Sequence, residues 1–144
     1  MEKLAALCCL WAFGLSEKED YCTELDRLFM LSSEDNLLFE LEDLGGDCGA
    51  ALARIFPLVE QSLNIDKFGK ELFAALENIY NENKFTLVGF GRRCYMMWNW
   101  FPSNLCYKEP FFTLCYANDP LNWGDERQTR KIYQKAFDYY RERL

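Results

Sequence analysis

From Leu4 to Leu15 almost every position is apolar, which predicts a helix over residues 3–14 covered on most of its circumference. The run follows Lys3 and superficially resembles a secretory leader. It lacks a small-x-small cleavage site before Ser16-Glu17-Lys18-Glu19-Asp20, and its 12 residues are too few to span a bilayer. A buried helix is the better reading. Beyond Gly14 the apolar residues thin to a helical period. Ser16 with Glu19 forms a capping box, and the helix it opens runs to about Leu31, burying Tyr21, Cys22, Leu25, Leu28 and Phe29. Ser32 or Ser33 caps a third helix with the stripe Leu37, Leu38, Leu41 and Leu44, stopped by Gly45-Gly46. Asp47 opens a fourth from Ala50 to Phe56, which Pro57 should kink or restart. A fifth, capped by Asp66, carries Phe68, Leu72, Phe73, Leu76, Ile79 and Tyr80 to the Asn81-Glu82-Asn83 stop.

After Lys84 the pattern changes. Phe85-Thr86-Leu87-Val88-Gly89-Phe90 is rich in strand formers, as is Phe111-Phe112-Thr113-Leu114-Cys115-Tyr116 after Pro110. Arg93 to Phe101 reads as the strand between them, with a short helix as the alternative because of its methionines and tryptophans. Asn118-Asp119-Pro120 makes a turn, and Asp125 with Gln128 caps a last helix carrying Ile132, Tyr133, Ala136, Phe137, Tyr140 and Leu144. The expected fold class is α+β: a mainly helical N-terminal layer of about five helices, a small antiparallel three-stranded sheet and a long C-terminal helix. No linker or repeat divides the chain, so residues 1–144 are expected to form a single domain.

Charge sharpens the division. Residues 1–83 hold 17 of the 23 acidic side chains and 6 of the 16 basic ones, a net −11, whereas residues 84–144 carry +4; the whole chain is at −7. Such an asymmetry concerns partners and association rates. An acidic chain is poorly suited to nucleic acid as its principal ligand and to acidic membranes; a basic protein surface or groove is the natural complement.

Histidine is absent, which removes the usual base of Ser-His and Cys-His nucleophiles and the commonest transition-metal ligand. The seven cysteines, at 8, 9, 22, 48, 94, 106 and 115, show no C-x-x-C spacing. They read as reduced core residues of a cytoplasmic protein, and no metal site or cofactor signature is read. Cys94 follows Arg92 and Arg93, and cationic neighbours can lower a thiol pKa. A small thiol-dependent enzyme therefore stands as a third functional reading.

The sharpest local anomaly lies on the third helix. Phe39 points away from the leucine stripe, flanked by Asp35, Glu42 and Asp43, as an interface anchor with an acidic rim would; packing against a second layer is the structural alternative. With Asp20 and Glu24 on the second helix, these residues form the expected partner-binding set, joined by Arg92 and Arg93 from the aromatic and basic segment 89–100. The leading expectation is a non-catalytic protein-interaction module whose acidic helical face binds a basic protein surface. Its most concrete form is a phage or mobile-element counter-defence inhibitor that mimics nucleic acid, as some anti-CRISPR proteins do. That analogy is one of surface type, and no motif identifies a family. The alternative is a nucleic-acid-associated accessory module using Arg92, Arg93 and the i, i+4, i+8 stripe Arg127, Lys131 and Lys135.

Overall fold

The computed structural model describes residues 1–143. The five expected N-terminal helices are present: α1 (Glu2–Ala12), α2 (Lys18–Leu31), α3 (Asn36–Leu44), α4 (Cys48–Gln61) and α5 (Ile65–Asn81). Helix α1 is the hub. Leu4, Ala5, Ala6, Cys8, Cys9 and Leu10 are all buried, because α2, α4 and α5 pack around it. Helix α3 closes the layer against α2 and α4, inserting Leu38 and Leu41.

The expected sheet is absent: no strand occurs among the described residues, so the α+β reading is corrected to an all-helical one. Residues 85–90 and 93–101 instead supply α6 (Leu87–Asn99), and 111–116 supplies α8 (Thr113–Tyr116), with α7 (Ser103–Cys106) and α9 (Asp119–Asn122) beside them. The physical reason is visible in the burial pattern. Phe90, Cys94, Met97 and Phe101 are the buried apolar side chains of this stretch, and their spacing of four, three and four is that of a helix face. Strand propensity describes residues that fit a half-buried pleat and yields readily to packing. Thr86, taken above as a strand residue, is the N-cap of α6, its Oγ1 accepting from the Gly89 N–H at 3.0 Å.

Other caps also differ from expectation. Glu17 precedes α2 without a side-chain cap bond. Asp35, not Ser32 or Ser33, caps α3 by accepting from Leu37 N–H at 2.9 Å, and Asn64, not Asp66, caps α5 through the Lys67 N–H at 3.0 Å. Helix α4 passes through Pro57 without stopping. Pro57 is exposed, as is Ala53 one turn before it, so the carbonyl that Pro57 cannot serve lies on the solvent side.

The final helix, α10 (Glu126–Asp138), has the N-cap read for it, Asp125 Oδ1 accepting from Gln128 N–H at 3.0 Å. The Asp125 N–H donates to Pro120 O at 2.9 Å and not to the Gln128 side chain that a capping box requires. It packs on α5, α8 and α9. Two aromatic clusters join the halves. Phe68 and Phe73 of α5 meet Phe101 and Phe111, with Phe68 and Phe111 stacked at 6.0 Å; Tyr80 of α5 meets Phe90, Tyr133 and Phe137. At Gly91 the Asn118 side chain sits where a Cβ would be, 1.8 Å from its ideal position, so only glycine lets this close approach form. Leu144, expected on the α10 stripe, lies outside the described residues.

Candidate protein-interaction surface

Helix α3 places its leucines inward and Phe39 outward, as its 3.6-residue period requires. Phe39 is covered on one side and open to solvent on the other. Its ring meets Phe29 of α2 edge to face at 5.0 Å, yet half of the residue (50%) remains exposed. Beside this pair α2 ends in Met30 and Leu31, exposed at 87% and 73%. These two were missed in the sequence reading. The signal was available: Leu28-Phe29-Met30-Leu31 is four consecutive apolar residues on a helix, and one helix face cannot bury all four.

The carboxylates around this corner divide into available and engaged. Glu42 and Asp43 are exposed, and neither has an ion-pair partner among the described residues. The same is true of Glu34, just before α3. Asp35 is half-buried and spends one oxygen on its cap. Asp43 also lines a shallow hollow of about 500 Å³ between α3 and α4, with Glu40, Leu44, Ala50, Ala53 and Arg54. Glu40 is neutralised there by Arg54 Nε at 2.5 Å.

Glu24 does not belong to the surface. It is buried and accepts from Arg27 Nε at 3.0 Å and Nη2 at 2.5 Å, with Lys3 Nζ at 3.9 Å. Hydrogen bonding from Arg27 holds its carboxyl below the ordinary carboxylate range against the opposing effect of burial. Asp20 is exposed in the first turn of α2, ten residues and so about 15 Å along the axis from Met30. It lines a different recess, with Leu7, Leu10 and Lys84.

The arginines of α6 are separated by the helix turn. Arg92 is exposed. Arg93 is half-buried, its guanidinium 4.5 Å from the Phe85 ring and its Nη1 donating to Gly89 O at 3.2 Å. Arg93 lies instead against the α1–α2 connection, its Nε 3.5 Å from where a Cβ on Gly14 would stand, at the end of α2 remote from Met30 and Leu31. Arg127, Lys131 and Lys135 are exposed along α10 as the stripe predicts, and none has an ion-pair partner among the described residues.

The thiols are all free. Cys94 is fully buried and burial pushes its thiol up, away from a reactive thiolate; Cys8 is pushed up to about 12 for the same reason, with Cys48 adding to the effect. Among the described residues no group of three His, Cys, Asp or Glu side chains is placed to hold a metal ion, and no helix is long and apolar enough to cross a membrane. The chain matches no protein-family model, no curated protein and no solved structure, so the functional reading rests on this geometry.

Proposed function

We propose that this chain is a non-catalytic protein-interaction module that binds a basic protein surface through the α2–α3 corner. The observation that carries the reading is the joint exposure of Met30, Leu31 and Phe39 near Glu34, Glu42 and Asp43, which have no ion-pair partner among the described residues. Large apolar side chains left in water at one corner, with a charged border, fit the anatomy of an interface: an apolar centre that supplies affinity and a rim that steers approach. The negative rim selects a positive partner. A protein that holds nucleic acid in a basic groove meets that requirement, and occupying such a groove is the most concrete form of the proposal. With Glu24 and Glu40 neutralised internally, the contact is an apolar anchor with an acidic border more than a ladder of phosphate mimics.

The test is affinity capture from the native host followed by titration with the purified partner. Phe39→Ala and Met30→Ala are expected to weaken binding about tenfold or more, as truncated interface anchors do. Glu42→Lys and Asp43→Lys should slow association and flatten its dependence on salt. A partner that binds all four variants as tightly as the parent chain would refute the assignment of this corner.

A further inference from the structure

A second surface is built where α10 faces the segment 109–116. Between them lies a groove of about 560 Å³, within the range of roughly 300–1,000 Å³ usual for small-ligand sites. One wall is α10, which presents Lys131 and Lys135 one turn apart and about 6 Å along the axis. The other wall is a hydrogen-bonded group: Thr113 Oγ1 donates to Glu109 Oε2 at 2.6 Å, and Tyr116 OH donates to Glu109 Oε1 at 3.2 Å. Pro110, Ile132 and Ala136 form an apolar lining between the walls. At one end Arg143 covers the Tyr139 ring at 3.7 Å, and Glu142 completes the lining.

The walls differ in what they accept. Two ammonium groups with no ion-pair partner among the described residues suit an anion such as phosphate. The opposite wall repels one, because Glu109 is held in place as a carboxylate acceptor; its remaining lone pairs suit an amine donor. Between them, the Tyr116 ring and the apolar lining suit a flat ring. A ligand that meets all three has a phosphate at one end and an amino-bearing heteroaromatic ring at the other.

We propose that this groove binds a nucleotide unit, its phosphate on Lys131 and Lys135, its base against Tyr116 and the apolar lining, and its exocyclic amine donating to Glu109. The unit can be a free nucleotide or one residue of a single strand. An aromatic band continues outward from the groove: Tyr116 meets Phe112 at 5.3 Å, Phe112 meets Trp98 at 6.3 Å and Trp98 stacks with Tyr95 at 5.9 Å. Tyr107, three-quarters exposed, lies against Trp98 and Phe112. Further bases can stack along such a band, which favours the strand as the source.

The experiment is equilibrium binding of the full chain, at low ionic strength, to adenosine monophosphate, inorganic phosphate and short labelled oligoadenylate, oligothymidylate and polyglutamate. Oligoadenylate binding more tightly than the mononucleotide assigns the groove to a strand; equal affinity assigns it to the free nucleotide. Either supports the proposal. The double variant Lys131→Glu/Lys135→Glu should lose about tenfold or more in affinity and shallow the salt dependence. Tyr116→Ala should lose about fivefold to a hundredfold, and Lys18→Glu, on α2, should lose none. Thermal melting of each variant confirms that it is folded. The proposal is overturned if no nucleotide probe binds, if phosphate or polyglutamate binds as well as oligoadenylate, if oligothymidylate (which lacks an exocyclic amine) equals oligoadenylate, or if the double lysine variant binds unchanged.

Discussion

The α2–α3 corner and the groove beside α10 expose apolar groups in different electrostatic settings, one acidic and the other of mixed sign. At the corner the apolar part is largely flexible, Met30 and Leu31 with one half-covered ring, and the free charges are carboxylates. At the groove the apolar part is aromatic and proline-lined, and the charges without an ion-pair partner among the described residues are of both signs, Lys131, Lys135 and Arg143 with Glu109 and Glu142. Flexible side chains adapt to a protein surface, whereas fixed rings offer flat faces to flat ligands. Net charge marks which region attracts which partner, but not which charges are available. In the acidic half, Glu24 and Glu40 are paired and Asp35 and Asp47 are caps. In the basic half, Arg130 bonds Glu126 and Tyr80, Arg141 bridges Glu77 and Asp138, and Arg93 lies on Phe85. The guanidinium fork favours such structural roles, and Lys131 and Lys135 of α10 have no ion-pair partner among the described residues.

The two regions share a core, and that sets the largest expected effect. Phe111→Ala should cost about 3–5 kcal/mol, because its ring joins Phe68, Phe73 and Phe101 across the boundary. Urea unfolding followed by tryptophan fluorescence and by circular dichroism checks it. Coincident transitions would show that the halves unfold together; separate ones would show that they do not.

Next comes the contrast between engaged and available carboxylates. Glu24→Ala should cost about 1–3 kcal/mol, because a buried, charge-assisted bond is lost, while Glu42→Ala should stay within about 0.5 kcal/mol. The pH dependence has a definite sign. Glu24 is held below its ordinary pKa in the folded chain, so its contribution is complete above the unfolded carboxylate range. It is lost as pH falls through the lowered value. The difference in urea midpoint between the parent chain and Glu24→Gln should therefore shrink on acidification.

Phe39→Ala is expected to cost about 1 kcal/mol or less in stability, since half the ring is already in water. A loss as large as that of Phe111→Ala would make Phe39 a core residue and remove it from the interface. The smallest effect concerns thiols. In the native chain, alkylation should reach the partly exposed Cys22 and Cys48 first and leave Cys8, Cys9 and Cys94 untouched until urea unfolds the protein. Mass spectrometry of digests reads the order.

Much of the N-terminal half was legible along the chain. The apolar run of α1, the leucine stripe of α3 and the spacing of Phe68, Leu72, Phe73 and Leu76 each specify a helix and its buried face. Residues 85–90 and 111–116 were misread, and only the helical alternative held over 93–101, because aromatic and β-branched residues fit either a pleat or a densely packed helix. The four-three-four spacing from Phe90 to Phe101 was the better guide. Phe39 was legible as an outward residue, whereas Met30 and Leu31 follow the half-buried pair Leu28 and Phe29 and were not singled out. The groove was only half legible: the Lys131 and Lys135 spacing could be read on α10, but nothing local says that Glu109, Thr113 and Tyr116 face them.

Local order along the chain was sufficient to place the helices of the first half, the division of charge, the absence of any histidine chemistry and the stripe on α10, since each depends on residue type and near-neighbour spacing. Packing decided the rest. Whether Glu24 is displayed or buried, whether residues 85–116 pair as strands or coil as helices, and which side chains meet across the groove all depend on groups distant in sequence. Such contacts are selected by the burial and hydrogen bonding of the whole chain, so no local pattern encodes them.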